Sequence, residues 1–422
     1  MAPGRANRWT SIVETFDLII DSIAAGGDGV GRHDGMVVFV PRTSPGDRVR
    51  VEAGREGRLM RGRVLELLAP SADRAAPRCR HYDSDRCGGC QLQHLSYERQ
   101  LRAKSTIIRD ALTRIAGLSL DPPVVEPSPA PWRYRAKLTL ALRRTGESWI
   151  AGLHPYHAPG QIFALDDCHI TDAAVVSHWR DVMHHARLLP PERQLRASVR
   201  LTGDGTGDGF SFVVEGGRDW TTHSQLFAAV PAMREIWWQP AGKRGQRLHT
   251  RGAHEAGASF IQVNPAVAER LRAWVVGIAR AAGPKTAVDA FSGTGDMAVD
   301  IAALGARITA IEIDRDASRL CASRLPAGSR AVASSVEAAL PRALPADLVV
   351  LNPPRAGIAA TVAATLQQDP RPGCLVYVSC NPATLARDLK RLDRYVVRSV
   401  RGFDMFPQTA HVETVCELVP AA

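Results

Sequence analysis

The segment YVSCNPATLARDL contains a cysteine placed where it could act as a nucleophile. Cys380 directly follows an apolar run that predicts a buried strand, and the residues after it predict a short helix. A thiol at the carboxyl end of a strand and beside a helix start can have a lowered pKa, which favours the reactive thiolate. Cysteine is also among the most buried residue types, so a structural role is the alternative. The polar neighbours Ser379 and Asn381 favour the nucleophile.

A candidate proton acceptor lies near the C-terminus, in the segment FDMFPQTAHVETVCEL. His411 and Glu413 stand two residues apart, which places them on one face if this segment is a strand. Apolar surroundings raise the pKa of a carboxyl group, so Glu413 could take up a proton near neutral pH. Asp404 and His411 are candidate helpers, and for His411 a packed or orienting role is favoured.

The segment TAVDAFSGTGD has the pattern of a strand that ends in a ligand-binding turn. Asp289 ends the strand, and Phe291, Gly293 and Gly295 follow it. Glycines allow the backbone to approach a ligand and lead into the next helix. Glu312 lies nineteen residues after Gly293, at the end of the next predicted strand, where a carboxylate can accept both hydroxyls of a ribose.

A third strand end narrows the choice of cofactor. Asn352 and two prolines follow the apolar run DLVVL, so a polar side chain lies at the carboxyl edge of the predicted sheet. This arrangement favours a methyltransferase that uses S-adenosylmethionine (SAM). An ordinary α/β turn is one alternative. A nicotinamide oxidoreductase is another, but it leaves Cys380 and the segment HVET unexplained.

Four cysteines supply the donor set of a metal site. Cys79, Cys87 and Cys90 have the spacing C-x7-C-x2-C, and Cys168 is the distant fourth member. Four thiolates hold either zinc or a 4Fe-4S cluster, and the spacing does not separate the two. The N-terminal residues MAPGRANRW lack the apolar segment of a secretory signal, so we expect a cytoplasmic protein with reduced cysteines.

These segments must be positioned by a chain that has the composition of a globular protein. It contains 422 residues, of which 45% are hydrophobic and 23% are charged. No apolar run approaches the roughly 18 residues of a membrane-spanning helix, which excludes the membrane class. The composition excludes collagenous and small disulfide-stapled proteins as well. No membrane partner is expected.

Hydrophobic patterning predicts three regions along the chain. Residues 15–70 contain short strands separated by glycine-rich turns, which is typical of a small oligonucleotide-binding β-barrel. Residues 95–118 have helical spacing, the run DPPVVEPSPAP reads as a connector, and hairpin-forming strands after it predict an antiparallel central region. From about residue 260, strands alternate with helices and predict a parallel, doubly wound sheet.

The net charge of +10 is unevenly distributed along the chain. Residues 1–73 carry ten basic and ten acidic groups, whereas residues 74–262 have an excess of seven basic groups. Six arginines between Arg48 and Arg63 face only Glu52 and Glu56 in that stretch. The pattern fits either a polyanion-binding surface or the solvated surface of an arginine-rich protein.

Taken together, these segments resemble the bacterial RNA uracil-5-methyltransferases from about residue 15 to the C-terminus. YVSCNPATLARDL and FDMFPQTAHVETV are similar to the two catalytic segments of that family, RCGGCQLQH to its cluster loop, and SFIQVNPAVAERL to the start of its catalytic domain. The N-terminal region resembles a TRAM domain, an RNA-binding relative of the oligonucleotide-binding fold. The resemblance implies SAM-dependent methylation of carbon 5 of a uridine.

The resemblance also implies roles for individual residues. Cys380 would be the nucleophile and Glu413 the general base, and the cluster loop with Cys168 would bind a 4Fe-4S cluster. The residues at cofactor-binding positions are Gln262, Phe291, Gly293, Glu312 and Asn352. Three positions depart from common family residues: Ser292 replaces cysteine, Asp296 replaces the asparagine of some members, and Asn352 replaces aspartate.

We therefore predict an α/β protein of three domains. A TRAM-like β-barrel spans residues 1–73, and a central antiparallel α+β domain with the metal-cluster loop spans residues 74–260. A doubly wound, Rossmann-like SAM methyltransferase domain spans residues 261–422, with helix 95–118 packed on it. The predicted partner is 23S rRNA, and a monomer is expected. A tRNA substrate and a non-catalytic RNA-binding protein are the alternatives.

Overall fold

A computed structural model describes residues 13–202, 208–252 and 262–421. Within these ranges, no helix is long and apolar enough to cross a membrane. The chain divides into two compact units. The first comprises residues 1–100, 130–258 and 407–410, and the second comprises residues 101–129, 259–406 and 411–422.

A sheet of six strands forms the N-terminal part of the first unit. The strands are β1 (Val13–Ile19), β2 (Ser22–Ile23), β3 (Gly29–His33), β4 (Met36–Val40), β5 (Arg48–Glu56) and β6 (Leu59–Ala69). They follow the order β1-β5-β6-β4-β3-β2, and apolar side chains that alternate along β4 and β5 fill the core. The strands expected in residues 15–70 are present, and their closure into a barrel stays a prediction.

Several arginines of this sheet are paired with acids on neighbouring strands. Arg50 binds Asp17 at 2.9 Å, and Arg63 binds Glu52 at 2.6 Å. The expectation that this run faces only two glutamates is wrong, because it counted neighbours along the chain alone. Strand pairing sets Asp17 opposite Arg50, so the sheet neutralises much of its own positive charge.

The rest of the first unit is built on a seven-stranded sheet. Its strands are β8 (Lys137–Thr145), β9 (Ser148–Leu153), β10 (Phe163–Ala164), β11 (Gln194–Leu201), β12 (Phe210–Glu215), β13 (Met233–Gln239) and β14 (Gln246–Thr250), in the order β10-β9-β8-β11-β12-β13-β14. Its helices are α1 (Arg80–Asp83), α3 (Ala173–His184) and α4 (His223–Ala229). Trp179 of α3 and Leu226 of α4 pack with Leu140 and Phe212 on one face of the sheet.

One pair of neighbours in this central sheet is parallel, which corrects the antiparallel prediction. β12 and β13 run in the same direction, because the chain between them crosses over through α4. The other adjacent strands pair in antiparallel fashion, so the sheet is mixed.

The second unit contains an eight-stranded sheet with helices. Its strands are β7 (Val125–Glu126), β15 (Thr286–Ala290), β16 (Arg307–Glu312), β17 (Arg330–Ala333), β18 (Leu348–Leu351), β19 (Cys374–Ser379), β20 (Tyr395–Phe403) and β21 (Glu413–Pro420). Its helices are α2 (Tyr97–Ala111, in this unit from Leu101 onward), α5 (Pro265–Ala282), α6 (Asp296–Ala302), α7 (Arg315–Arg324), α8 (Val336–Ala343), α9 (Ala360–Leu366) and α10 (Pro382–Arg391).

The order of this sheet creates a switch point between β15 and β18. The strands follow the order β17-β16-β15-β18-β19-β21-β20-β7, and the first five of them are parallel. The chain leaves β15 toward one side of the sheet and returns to β18 on the other. In a doubly wound sheet, ligands bind beyond the carboxyl ends of the strands at such a point. β21 pairs in antiparallel fashion with both β19 and β20, and the edge strand β7 pairs in parallel with β20.

The segment expected to be a connector contributes to this sheet. Val125 and Glu126 form β7, which pairs with Gly402 and Phe403 at the edge of the sheet. The helix predicted over residues 95–118 is shorter than expected. α2 ends at Ala111, and a π-helical turn follows it (Leu112–Ala116).

Candidate active site

Cys380 and Glu413 lie opposite each other at the ends of neighbouring strands. β19 and β21 are antiparallel and pair Ser379 with Thr414, so the next position of the register sets Cys380 across from Glu413. Cys380 is half-buried, and the Glu413 side chain is buried. Two residues that are distant along the chain therefore meet in one place.

The Cys380 thiol is less acidic than the sequence suggested. Burial raises its pKa, the neighbouring Glu413 raises it further, and Arg355 has the opposite effect. The expectation of a lowered pKa rested on the start of α10. Asn381 already occupies two amides of that helix, because its Oδ1 accepts hydrogen bonds from Ala383 and Thr384 at 3.1 and 3.4 Å. In the protein without substrate, the thiol form is therefore favoured.

Glu413 has the proton affinity of a base that works near neutral pH. Burial raises its pKa to about 7, and the positive charge of Arg355 partly opposes this rise. His411 does not share the strand, because β21 begins at Glu413, and it is exposed. Asp404 forms a fully buried ion pair with Lys104. This geometry therefore places neither His411 nor Asp404 beside Cys380.

Arg355 is a site residue that the sequence analysis missed. It belongs to the loop of residues 352–358 that follows β18, here called the NPPR loop, and its side chain acts on both Cys380 and Glu413. Asn352 was selected because it follows the end of a strand, and the same reasoning would also have indicated Arg355, which lies three residues further along the chain. A fixed positive charge at this position favours the anionic form of both groups.

The NPPR loop is held on α10 by a set of hydrogen bonds. Thr384 donates to the Arg355 carbonyl at 3.2 Å, and Arg387 donates to the Ala356 carbonyl at 2.7 Å. The fully buried carboxylate of Asp388 accepts the backbone N–H of Ile358 at 3.0 Å. The helix that begins beside Cys380 therefore fixes the path of the loop that carries Arg355.

The turn after β15 forms a cradle at the switch point. Phe291 adopts a left-handed backbone conformation with a φ of 64°, and the Gly293 N–H donates to the Glu312 carboxylate at 2.9 Å. The backbone N–H of Asn352 donates to the Ala290 carbonyl at 3.2 Å. Strained non-glycine conformations of this kind cluster at ligand sites.

Two buried polar atoms in this cradle have no hydrogen-bond partner within the described residues: Asp289 Oδ2 and Ser292 Oγ. Burial raises the pKa of Asp289 to about 7. Unsatisfied buried polar atoms are costly, so the pair fits a polar ligand that would supply the missing bonds. Gln262 lies half-buried just before α5, and the preceding residues 259–261 of its segment lie outside the described residues.

The four candidate metal ligands are buried in the first unit, and none forms a disulfide. Burial raises the pKa of Cys79, Cys87 and Cys90, to about 11 for Cys87, and the charge of Cys168 contributes to each rise. The four thiols are therefore close enough to influence one another. Within the described residues, no group of three or more His, Cys, Asp or Glu side chains is arranged to hold a metal ion.

A crystal structure of another protein has the same fold as this chain. The tRNA (uracil-54, C5)-methyltransferase of Pyrococcus abyssi, in complex with S-adenosyl-L-homocysteine, has a TM-score of 0.68 and 22% sequence identity. The match covers 96% of this chain and 100% of that chain. The two chains therefore share their fold over nearly the whole of their lengths.

Sequence comparisons identify the family. An uncharacterized RNA methyltransferase of Thermosynechococcus vestitus is 32% identical, over 96% of this chain and 98% of its own. One from Halalkalibacterium halodurans is 29% identical, over 96% and 97%. The family profile described as tRNA (Uracil-5-)-methyltransferase matches residues 342–419, and that of the TRAM domain matches residues 10–54. The chain belongs to the RNA uracil-5-methyltransferase family, with an N-terminal TRAM domain, and this confirms the resemblance seen in the sequence.

Proposed function

We propose that this enzyme methylates carbon 5 of a specific uridine in 23S rRNA, with SAM as the methyl donor. The observation that carries the proposal is the register of β19 and β21, which sets the thiol of Cys380 across from the carboxyl group of Glu413. A nucleophile and a base that are neighbours across two strands can act in turn on adjacent ring carbons.

The proposed reaction uses both groups in sequence. The Cys380 thiolate adds to carbon 6 of the uracil, and the electrons of the carbon 5–carbon 6 double bond move onto the ring as an enolate. When bound, SAM would supply an electrophilic methyl group to carbon 5, the methyl–sulfur bond would break, and S-adenosyl-L-homocysteine would be the leaving group. Glu413 then accepts the carbon 5 proton, the double bond forms again, and the carbon 6–sulfur bond breaks to release the Cys380 thiolate.

Arg355 supports the first and last steps in this proposal. The free thiol has a raised pKa, so the thiolate needs a compensating charge, and Arg355 provides one. The same charge favours ionised Glu413 before proton transfer. The target base must be unstacked or single-stranded, because a stacked pyrimidine does not admit a thiol above its ring; unstacking costs a few kcal/mol.

The cradle at the switch point fits SAM in this proposal. Glu312 would bind the ribose hydroxyls, and Phe291, Gly293, Asn352 and Gln262 would line the remainder of the site. The unsatisfied Asp289 Oδ2 and Ser292 Oγ supply polar atoms for such a ligand. Glu312→Ala should weaken SAM binding in calorimetry without unfolding the protein, and an unchanged affinity would contradict the assignment.

We also propose that Cys79, Cys87, Cys90 and Cys168 hold a structural 4Fe-4S cluster. In such a cluster each thiolate binds a different iron, so the sulfurs surround a body larger than one ion. The resemblance of RCGGCQLQH to the cluster loop of the family favours this assignment over zinc, and the four thiols are buried and close enough to influence one another. Protein purified without oxygen should be brown and contain about four iron atoms per chain, as the cluster type requires. Stoichiometric zinc without visible absorbance would show that the zinc alternative is correct.

A tRNA uridine is the second candidate substrate. It is favoured by the similarity to the tRNA-modifying enzyme of Pyrococcus abyssi and by the name of the matching family. Unmodified 23S rRNA and tRNA transcripts should be incubated with the protein and SAM, and 5-methyluridine should then be mapped. We expect methylation of 23S rRNA. Methylation of tRNA alone would identify the alternative, and methylation of neither would overturn the proposed function.

Three predictions of organisation accompany this function. The three-domain division at residues 1–73, 74–260 and 261–422 is proposed, as are a monomeric state and a cytoplasmic location. Sedimentation of the purified protein at several concentrations tests the monomer, because a dimer would show a mass that increases with concentration.

A further inference from the structure

The chain between β20 and β21 is longer than the strand pairing requires. β20 ends at Phe403, which pairs directly with Glu413 at the start of β21. Adjacent antiparallel strands can be joined by about two to five residues, whereas here the chain uses residues 404–412. The additional length reaches the first unit, to which Pro407–Ala410 belongs. We call these four residues the PQTA segment, and the proposed base follows shortly after it.

The PQTA segment is buried, and the backbone of Gln408 must be held by its surroundings. Gln408, Thr409 and Ala410 are all buried. The φ of Gln408 is 68°, a left-handed conformation that residues with a side chain rarely adopt. Such a conformation is costly, persists only where the surrounding structure determines it, and is concentrated at functional sites.

A second buried glutamine fixes both the side chain and the backbone of Gln408. Gln100 Nε2 donates to Gln408 Oε1 at 3.0 Å, and the backbone N–H of Gln408 donates to Gln100 Oε1 at 3.0 Å. Gln408 Nε2 donates to the Pro131 carbonyl at 3.3 Å. Both polar atoms of the Gln408 amide therefore have a partner, and its orientation is determined.

The segment that carries Cys90 holds the carbonyl of Gln408. Gln91 and Leu92, the two residues after Cys90, donate their backbone N–H groups to this carbonyl at 3.1 and 3.0 Å. Leu92 is fully buried. A displacement of the loop that carries Cys90 would therefore displace the PQTA segment as well.

The segment that carries Cys168 is connected to the same place. Tyr134 donates its hydroxyl to the Pro407 carbonyl at 3.0 Å. The backbone N–H groups on either side of Tyr134 donate to the carbonyls of His169 and Ile170, which follow Cys168, at 2.9 Å. Two segments that carry candidate metal ligands therefore hold the chain that leads to Glu413.

We propose that Gln408 is a positioning residue for Glu413, and that the segments carrying Cys90 and Cys168 act on the base through it. The inference rests on the proposed function, since it takes Glu413 as the general base and the cysteines as a metal site. A base must lie within hydrogen-bond reach of the proton that it removes. A misplacement of about 1 Å can reduce a rate about 10²-fold.

The first test uses full-length Gln408→Met, which keeps the length of the side chain and removes its amide. In the free protein, the backbone amides of residues 411–415 should exchange hydrogen faster than in wild type. With SAM and the unmodified 23S rRNA or tRNA transcript that wild type methylates, adduct release should slow by about 10²-fold. A methylated adduct should then accumulate on a denaturing gel, while SAM affinity, metal content and alkylation of Cys380 by iodoacetamide match wild type.

Gln367→Met is the matched control. Gln367 also makes two side-chain hydrogen bonds, because it donates to the Arg391 carbonyl and accepts from the Arg394 N–H, both at 2.9 Å. It lies near the start of β20, at the end of the strand pair far from Glu413. This variant should release the adduct as wild type does. Wild-type exchange and release in Gln408→Met, or equal accumulation of adduct in Gln367→Met, would overturn the proposal.

The second test removes the metal from wild-type protein with EDTA in air, followed by reduction of the thiols. Hydrogen exchange should become faster in residues 407–413, while β18 and β19 stay protected. Unchanged exchange in residues 407–413, or an equal loss of protection in β18 and β19, would overturn the link between the cysteines and the base. The proposed function would still stand in these cases, because its own failure is a wild-type protein that methylates no RNA.

Discussion

Burial decides the protonation of the two groups that meet in the active site. The thiol of Cys380 has a raised pKa and favours its neutral form before substrate binds, whereas Glu413, with a pKa raised to about 7, is present in both its neutral and its ionised form near neutral pH. A thiolate at Cys380 and a carboxylate at Glu413 would repel each other, and this repulsion is absent when either group is neutral. At the residue scale, the site is therefore prepared to accept a proton at Glu413 but needs Arg355 to release one from Cys380.

Replacing Cys380 and replacing Glu413 should have different effects on the complex of the protein with RNA. Cys380→Ser should bind RNA without methylation and without a covalent adduct, because the nucleophile is missing. Glu413→Gln retains the shape but cannot accept the carbon 5 proton, which should slow release by about 10²–10⁴-fold. A methylated RNA–protein adduct should then be visible as a denaturation-resistant band on a gel. Normal turnover of Glu413→Gln would show that the base is another residue.

The pH dependence of adduct release should report Glu413. Its pKa is raised to about 7, so the carboxylate is lost as the pH falls through 7. The release step should slow about tenfold for each pH unit below that value and become independent of pH above it. Single-turnover measurements between pH 5.5 and 8.5 check this, with Glu413→Gln as the control that lacks this inflection. The same inflection in the variant would assign it to another group.

At the scale of elements, α10 positions two parts of the site together. Its start lies beside Cys380, and its buried Asp388 accepts hydrogen bonds from Ile358 in the NPPR loop and from Tyr377 of β19 at 2.8 Å. Gly357 approaches the Asp388 carboxylate so closely that a side chain there would collide with it. This close approach therefore fixes the position of the NPPR loop relative to α10.

Replacement of Asp388 should misplace Arg355 rather than remove a reacting group. In Asp388→Asn the amide keeps the size of the side chain but loses the charge that binds Arg387 and Arg391. We expect slower alkylation of Cys380 by iodoacetamide at pH 8, because the thiolate is less stabilised, and a lower kcat with a similar KM for SAM. Asp316→Asn, on the exposed start of α7, is the matched control. An unchanged alkylation rate with a merely lower melting temperature would indicate a structural role alone.

At the scale of the whole molecule, residues 101–129 belong with the catalytic sheet. Lys104 of α2 and Asp404 after β20 are 300 residues apart and form an ion pair whose side chains are both fully buried. Lys104 also donates to the Phe406 carbonyl at 3.0 Å. A fragment that begins at residue 261 would therefore lack Lys104, the cation that faces the buried carboxylate of Asp404.

The ion pair should be costly to break and less costly to replace. Removing one partner of a buried pair typically destabilises a protein by about 3–5 kcal/mol, whereas replacing both with apolar residues is often close to neutral. Lys104→Met should therefore lower stability in denaturant unfolding far more than Lys104→Met/Asp404→Leu does. A loss of stability in the double variant that equals the sum of the losses in Lys104→Met and Asp404→Leu would show that the two side chains contribute independently.

The amino-acid sequence was enough to indicate the candidate chemistry. Cys380, Glu413 and the strand-end polar residues could be found because reactive side chains stood after apolar runs, and local hydrophobic patterning reports which segments become strands. The TRAM domain and the methyltransferase fold followed from the same patterning and from the family resemblance, and the comparisons confirmed both. These features depend on neighbours along the chain, and a single sequence is enough to show such neighbours.

The electrostatic environment of the site and the pairing of distant segments depend on neighbours in space, so they became visible in the tertiary structure. It placed Arg355 beside Cys380, raised rather than lowered the thiol pKa, and recruited Val125 and Glu126 from a supposed connector into the sheet. It also paired the N-terminal arginines with acids on adjacent strands. Burial, register and long-range pairing set these properties, and each depends on residues that are far apart in the chain.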